Sequence, residues 1–358
     1  MLKILLAPFA LIYGFAVKVR NLLFDYRILK STTVGRPTIC VGNLTVGGTG
    51  KTPHVEYLVN LLATKHKVAT LSRGYKRQTK GFLYADVDST SQQVGDEPLQ
   101  IKTKFPDAIV AVNGNRVEGA QRIIKDYPDI ETIILDDAFQ HRSIKPGFSI
   151  LLMDFNNLVT KDYFLPVGRL RDSLKEIRRA DIVVVTKCPV NIKPIDQRII
   201  TTELNLYPYQ TIFFSWFEYG DPIPVFKDAT SACKVIKSTT TIALAGIANP
   251  FPFFQHLEEQ TTLVQKNAFP DHYPYSEKKI KAIFESLSGI DSNNKAIITT
   301  EKDAARLKNL EGLDESVKRS IFYIPIEVAF SGESAKDFNK KIEDYVRTSK
   351  RDYGLHTK

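Results

Sequence analysis

The sequence predicts an α/β protein: a mainly parallel sheet covered by helices on both faces, with a smaller second α/β unit joined to it by an extended linker. Short apolar, β-branched runs alternate with helical stretches from residue 38 to residue 187, and strands that read as continuous apolar runs belong to sheets buried on both faces. The first of these runs feeds a glycine-rich loop that opens a helix. Between residues 209 and 240 the character changes, because Ile212-Phe213-Phe214-Ser215-Trp216 looks extended and residues 219–227 are punctuated by Gly and Pro. A strand, Gly turn and helix pattern resumes at Thr241. The expected divisions are an N-terminal helix over 1–24, a main unit over 25–215, a linker over 216–240 and a second unit over 241–358.

At 358 residues the chain is long enough for two domains, and its 43% hydrophobic and 25% charged residues are the proportions of a globular protein rather than a disordered one. A formal net charge of +9 suits an anionic partner, whether nucleic acid, an acidic membrane surface or a phosphorylated substrate. Charge alone does not choose among them. Cys40, Cys188 and Cys233 are widely separated and form no CxxC pair. Neither a zinc site nor a disulfide framework is indicated, and a reducing cytoplasm fits best.

Residues 4–17 are apolar, and the chain then turns basic at Lys18 and Arg20. The run is too short to span a bilayer. It lacks the small-residue cleavage site of a signal peptide, since Lys18-Val19-Arg20-Asn21 follows. The expectation is a helix lying in a membrane interface with its cations against anionic headgroups; the alternative is a helix packed on the protein's own core.

Residues 38–41 suit a buried strand. Thr45-Val46-Gly47-Gly48-Thr49-Gly50 follows as a loop whose glycines let successive backbone N–H groups turn inward, and Lys51-Thr52 open a helix expected over 51–63. This is P-loop geometry, so the main unit is expected to be P-loop NTPase-like. The loop amides and helix N-terminus cradle phosphates, Lys51 reaches the β- and γ-phosphates, and the Thr52 hydroxyl is placed to ligate Mg²⁺. Thr45 stands where the usual pattern has its first glycine.

A strand over 68–71 ends in Ser72-Arg73-Gly74-Tyr75. Ligands of open α/β sheets lie beyond the carboxyl ends of strands, so Arg73 and Tyr75 are site candidates, against an ordinary surface turn. Val94-Gly95-Asp96-Glu97-Pro98 precedes a helix over 99–104. Read alone, Asp96 is an N-cap with Glu97 and Pro98 in the first turn; the alternative is a carboxylate near the γ-phosphate. After a strand over 108–112, Arg116 near the start of the next helix either touches phosphate or is solvated. Residues 132–135 lead as an apolar strand into Asp136-Asp137, the Walker B pattern, where an acid ligates Mg²⁺ directly or through water. Gln140 and His141 continue that loop within reach of a substrate, and Arg171 sits in a Pro/Gly loop with Arg169. In the second unit Phe269-Pro270-Asp271-His272-Tyr273-Pro274 is a tight aromatic loop, and a lone loop His such as His272 is more often structural than catalytic. Residues 296–303 read as a strand running into a capped helix, and 321–330 as a last strand before a terminal helix.

Taken together, these residues resemble one family, the tetraacyldisaccharide 4′-kinases, which phosphorylate the lipid A precursor of Gram-negative bacteria. The likeness is carried in order by Val41-Gly42-Asn43 through Pro53, Leu71-Ser72-Arg73-Gly74-Tyr75, Gly95-Asp96-Glu97-Pro98, Leu135-Asp136-Asp137-Ala138-Phe139-Gln140-His141 and Phe269-Pro270-Asp271-His272. The family's loop also looks like Thr-Val-Gly-Gly-Thr-Gly-Lys-Thr, so Thr45 adds to the resemblance. The resemblance implies ATP and Mg²⁺, tetraacyldisaccharide 1-phosphate as the lipid acceptor, a peripheral place on the cytoplasmic face of the inner membrane, and no nucleic acid. On matching positions it implies that Asp96 is the base for the sugar 4′-hydroxyl and His272 its partner from the second domain. Lys51 joins them as a catalytic cation, Asp136 and Asp137 are the metal-site acids, and ATP lies along residues 45–52. Arg171 takes a phosphate-binding role, with Arg73, Tyr75, Glu97, Arg116, Gln140 and His141 on the substrate side. The bland readings of Asp96 and His272 are thereby reversed.

Two other classes compete. A switch ATPase of the partitioning type carries a lysine just before Gly-Gly-x-Gly-Lys, where Val46 stands. A metallochaperone-like GTPase wants His/Cys clusters and an Asn-Lys-x-Asp, and Thr186-Lys187-Cys188-Pro189 lacks the aspartate.

Overall fold

The computed structural model describes residues 2–226, 237–292 and 294–355. Cys233 and residues 227–236 of the expected linker lie outside the described residues. In chain order the strands are β1 (Thr38–Asn43), β2 (Val68–Ser72), β3 (Leu83–Ala85), β4 (Ile109–Val112), β5 (Thr132–Asp136), β6 (Phe148–Asp154) and β7 (Ile182–Thr186). They continue with β8 (Thr211–Tyr219), β9 (Ile223–Pro224), β10 (Thr240–Ala245), β11 (Thr262–Ala268), β12 (Lys295–Thr300), β13 (Ile321–Ile324) and β14 (Ile326–Phe330).

A large sheet runs in the order β14-β8-β7-β6-β1-β5-β2-β4-β3 and a small one in the order β11-β10-β12-β13-β9. From β8 across to β4 every pairing of the large sheet is parallel. Antiparallel strands stand only at its edges, β14 on β8 and β3 on β4. Strands β1, β2, β5 and β7 are buried at every position, as the continuous apolar runs require when helices cover both faces. Alternation then sorts each strand into two apolar layers: Cys40, Leu135 and Val183 face one core, and Ile39, Val41, Ile134 and Val184 the other. β1 lies between β5 and β6, so the glycine-rich loop leaves the sheet at an interior crevice beyond its carboxyl edge.

The expected second unit over 241–358 is divided in space. The strand expected over 321–330 breaks at Pro325, which has no N–H for the ladder, and its carbonyl instead accepts the Gly220 N–H at 2.9 Å. Past this neck β14 returns to the large sheet, and the helix Gly332–Leu355 lays Phe338, Ile342 and Val346 into the large-sheet core. β8 likewise runs past the expected boundary at 215 to Tyr219. The small sheet and its helices thus form a lobe inserted between β8 and β14.

The N-terminal helix covers Leu2–Asp25. At 1.5 Å per residue it is about 36 Å long, and by length and composition it is apolar enough to cross a membrane, more than the run over 4–17 suggests. One stripe of it rests on the protein: Gly14, Val17 and Asn21 are buried, and a Cβ on Gly14 would meet the Phe164 ring at 2.7 Å. Asn21 Nδ2 donates to Asp172 Oδ1 at 2.8 Å and Tyr13 Oη to the Arg171 carbonyl at 3.1 Å. Away from that stripe, Ile4, Leu5, Phe9, Leu11, Ile12 and Phe15 are all more than 60% exposed.

Candidate active site

The glycine-rich loop is held from below. Gly47 and Gly50 take φ of 110° and 84°, a region that favours glycine, and a Cβ on Gly50 would lie 2.6 Å from the Phe217 ring. Asn43 Nδ2 donates to Thr49 Oγ1 at 2.9 Å, and Thr186 Oγ1 donates to the Thr49 carbonyl at 2.9 Å. His54, one turn into the helix Lys51–Ala63, donates from Nδ1 to the Gly50 carbonyl at 2.8 Å, leaving Nε2 to accept from Ser215 Oγ at 3.1 Å. Burial lowers its pKa to about 4, so this ring is a neutral strut under the loop.

Beyond the carboxyl ends of β1 and β5, cations and acids interlock. Lys51 Nζ stands 3.4 Å from Asn43 Oδ1 and 3.7 Å from Asp137 Oδ1. Arg171 donates through Nη1 to Asp137 Oδ2 at 3.1 Å, and through Nη2 to Asp137 Oδ1 and Asn43 Oδ1. It is delivered there because its loop pairs with the chain after β1: the Val46 N–H bonds the Arg169 carbonyl at 2.8 Å and the Arg171 N–H bonds the Leu44 carbonyl at 2.9 Å. Asp137 holds a left-handed backbone, φ 49°, uncommon outside glycine and frequent at functional turns.

The adjacent acids are pushed in opposite directions. Burial opposes ionisation of Asp137, but Lys51 and Arg171 outweigh it and hold the carboxyl at about 2. Asp136 is pushed up to about 7, by burial first and then by the charges of Glu97 and Asp137. Asp136 is thus a buried carboxylate whose charge a hard cation would offset. Asp136 and the Thr52 hydroxyl at the start of the P-loop helix are hard oxygen donors of the type that could hold Mg²⁺, which takes few protein ligands. Among the described residues no group of three or more His, Cys, Asp or Glu is placed to enclose a metal.

The other end of the cleft is made across the lobes. Gly95, not Asp96, occupies the cap position of the helix Asp96–Lys104, with φ of 96°. A Cβ on Gly95 would lie 3.2 Å from Gly74 Cα, so the 73–75 turn and the start of this helix are in close contact. Asp96 is therefore the first helical residue, and its side chain is directed at the small lobe instead of at its own backbone. Its Oδ2 accepts from His272 Nδ1 at 2.7 Å and from Arg306 Nε and Nη2 at 2.9 and 2.7 Å. Burial opposes the charge, but His272 and Arg306 hold Asp96 at about 2. His272 also has a left-handed backbone, φ 62°, and its ring lies 5.4 Å from that of Tyr75. Lys302 Nζ stands 3.4 Å from His272 Nε2 and 3.4 Å from Glu97 Oε1.

The structure brings Asp96, Glu97, Tyr75 and His272 to one end and Lys51, Asp136, Asp137 and Arg171 to the other. Glu97 raises the pKa of Asp136, so the two ends share one field. Gln140 donates from Nε2 to the Asn43 carbonyl at 2.8 Å, while its buried Oε1 has no partner. His141 is half-buried and lowered to about 4, by burial and then by Arg116. Arg73 is exposed at the mouth. Arg116 is not solvated: it is 1% exposed, donates to the Asn113 carbonyl at 2.6 Å, and lies beneath Asp136. Asn43, Thr186, Lys302 and Arg306 escaped sequence reasoning. Asn43 stood inside the block carrying the family likeness, but Lys302 and Arg306 sit in a charged helix start that reads only as capping and solvated surface.

The family profile of tetraacyldisaccharide-1-P 4′-kinases matches residues 2–347. The chain is similar to the tetraacyldisaccharide 4′-kinase of Bacteroides thetaiotaomicron, 46% identical over 356 residues that cover 97% of this chain and 94% of the relative. It is similar to that of Flavobacterium johnsoniae, 43% identical over 347 residues, 97% of this chain and 98% of the relative. Among solved structures, the apo form of LpxK from Aquifex aeolicus in complex with ATP superposes with a TM-score of 0.73 and 28% identity, covering 97% of this chain and 100% of that one. A profile match over residues 2–347, relatives of this identity and a superposable solved structure leave one conclusion: the chain belongs to the tetraacyldisaccharide-1-P 4′-kinase family.

Proposed function

We propose that the cleft carries out the reaction of the family, phosphoryl transfer from ATP to the 4′-hydroxyl of tetraacyldisaccharide 1-phosphate, giving lipid IVA in lipid A synthesis. The observation that carries this reading is the meeting of Asp96 from one lobe with His272 from the other, beside a P-loop whose Lys51 converges on Asp137 together with Arg171 of a neighbouring loop. ATP lies along residues 45–52 with its phosphates against the loop amides, and Lys51 and Arg171 neutralise the charge of the transferring group. Thr52, Asp136 and Asp137 are the residues that would hold Mg²⁺, which when bound would supply positive charge against the phosphates.

The hydrogen bonds to Asp96 all fall on Oδ2, which leaves Oδ1 to take the proton of the 4′-hydroxyl. The sugar oxygen forms its bond to the γ-phosphorus, the bond from that phosphorus to the bridging oxygen breaks, and the electron pair leaves with ADP. A carboxylate held at about 2 is a weak base, and it suffices because phosphoryl transfer passes through a loose transition state in which positioning counts for more than early deprotonation. Tyr75, Arg73, Gln140 and His141 line the acceptor side. The exposed apolar face of the N-terminal helix, with Lys18 and Arg20 at its basic end, rests in the cytoplasmic face of the inner membrane and presents the cleft to the lipid. The test is transfer from γ-labelled ATP to tetraacyldisaccharide 1-phosphate in detergent micelles. Label in the lipid is expected, and release of inorganic phosphate with none in the lipid would refute the assignment.

A further inference from the structure

We propose that Arg306, supported by Lys302 one turn before it, is the positioning residue that fixes which oxygen of Asp96 meets the acceptor and which nitrogen of His272 carries the proton; this rests on the kinase reading above. Both cations come from the helix Glu301–Leu307 of the small lobe, whose first turn packs on the helix that Asp96 begins. Arg306 places Nε and Nη2 on a single oxygen of Asp96, and its Nη1 is tied back to Asp303 Oδ1 at 2.7 Å and to the Gly246 carbonyl at 3.1 Å. Asp303 is itself fixed, its Oδ2 accepting the Gly246 N–H at 2.8 Å and the Thr300 hydroxyl at 2.7 Å. The guanidinium is therefore a clamp with no freedom to turn. A planar, five-donor group suits this better than an ammonium.

On the other side of His272, Lys302 Nζ donates toward Nε2 and is itself restrained by Glu97 and Asp271 at 3.4 and 3.5 Å. Arg306 Nη2 lies 3.2 Å from Nδ1 and Asp271 Oδ2 3.7 Å from Nε2, but the 2.7 Å approach of Nδ1 to Asp96 Oδ2 is the shortest of these contacts, so Nδ1 carries the N–H directed at Asp96 and Nε2 accepts from Lys302. With Oδ2 occupied by Arg306 and His272, Oδ1 is the oxygen presented to the 4′-hydroxyl. The proton of that hydroxyl passes to Oδ1 as the oxygen–phosphorus bond forms, and it leaves to solvent after ADP departs. The groups that face Asp96 are Arg306 and His272 directly, Lys302 and Asp271 behind the imidazole, Asp303 behind the guanidinium, and Glu97 beside it on its own helix. Without Arg306 the buried carboxylate keeps only His272 as a donor, its ionisation becomes harder, and it is free to rotate.

The experiment uses the full chain and compares Arg306→Met and Arg306→Lys with the parent across about pH 3.5 to 9, with kcat and KM for both substrates and with guanidinium ion added. Arg306→Met is expected to lower kcat about 10²-fold, the cost of a misplaced group, with KM for ATP unchanged. Its acid limb moves upward relative to the parent, and added guanidinium restores part of the rate. Arg306→Lys keeps the charge but not the fork, and falls between the two. A kcat equal to the parent's overturns the proposal, as does a lowered kcat whose pH profile stays parental and ignores guanidinium, the signature of a structural role. Should Arg306→Met lose its melting transition, Arg306→Gln carries the same comparison. A parent chain that fails to label lipid at all refutes the kinase reading; a parent that labels it and a variant whose profile does not move refute this inference alone.

Discussion

The two ends of the cleft are built differently. The phosphate end comes from one lobe: the loop after β1, the acids after β5, and an arginine delivered by a loop that pairs with residues 44–46. Its ion pairs close within that lobe, Lys51 and Arg171 on Asp137. The acceptor end exists only where two lobes meet, with Asp96 and Glu97 on one side and His272, Lys302 and Arg306 on the other. The same seam continues at Lys104, 2.8 Å from Glu56 of its own lobe and 3.5 Å from Glu301 of the other. One end is therefore preformed whatever the small lobe does, and the other is a property of lobe contact. Mutations at the two ends should separate nucleotide binding from acceptor chemistry.

The largest effect is expected at the preformed end. Lys51→Ala and Thr52→Ala should each remove most turnover, because on the proposed reading one deletes the cation at the transferring phosphate and the other a hydroxyl offered to Mg²⁺. Neither side chain belongs to either apolar core, so the melting temperature stays close to the parent's. Purified variants that turn over at parental rates would remove the P-loop from the mechanism.

Next comes the acceptor end. Asp96→Ala is expected to lower kcat by about 10²–10⁴-fold, the usual contribution of a general base, with the KM for ATP unchanged. His272→Ala lowers it too. Residues that act as a unit give a double variant far less impaired than the product of the single effects. If the measured losses at lipid saturation simply multiply, the two act independently and the division drawn between the ends is incomplete.

A smaller effect, confined to the lipid, is expected at the N-terminal helix. Phe9, Ile12 and Phe15 are 61–71% exposed, clear of the stripe that packs through Gly14, Val17 and Asn21. Replacing all three by Ser removes apolar area without touching the body, and at about 1.5–3 kcal/mol per fully buried Phe or Ile side chain this weakens membrane partition by about 10²-fold or more. Sedimentation with anionic vesicles should fall and the KM for lipid in vesicles should rise, while the KM for ATP stays constant. Unchanged sedimentation assigns the exposed face to something other than a membrane.

Much of this molecule was legible in its sequence because local patterns decided it. The apolar runs at 38–41, 68–71 and 132–135 each lie within a strand that ends one or two residues later, and the loop at 45–52 has a local mechanism that a linear pattern can carry. Pairings between distant segments left fainter traces. The break at Pro325 was written in the chain, yet the return of β14 to the large sheet depends on β8 having an unpaired edge, which no local pattern states. Arg116 reads as a helix start that either touches phosphate or is solvated, and its burial against the Asp136 carbonyl removes the second alternative. Asp96 reads as an N-cap until Gly95 takes that position. Arg306 gave no signal because its meaning lies wholly in the carboxylate it meets across the seam, 210 residues away in the chain.

The seam itself can be weighed by pH. Asp96 has an ordinary carboxylate pKa of 3.8 when free of its partners and about 2 when held by His272 and Arg306. The folded state therefore binds fewer protons than the unfolded one in that interval. The contact contributes its full stability above about pH 4 and loses it as pH falls toward 2. At ~1.4 kcal/mol per pKa unit the contribution is about 2 kcal/mol, with little discount for screening because the Asp96 side chain is only 12% exposed. Asp137 is held at about 2 as well, but by cations of its own lobe, so the two acids make a matched pair that differs in what each one joins. Asp96→Asn should speed amide hydrogen exchange in the helix Glu301–Leu307 at pH 7, by an amount that shrinks toward pH 3. Asp137→Asn should leave that helix as protected as in the parent. Equal protection of residues 301–307 in both variants at pH 7 would mean that the lobes are held together elsewhere, and that the acceptor end is as preformed as the phosphate end.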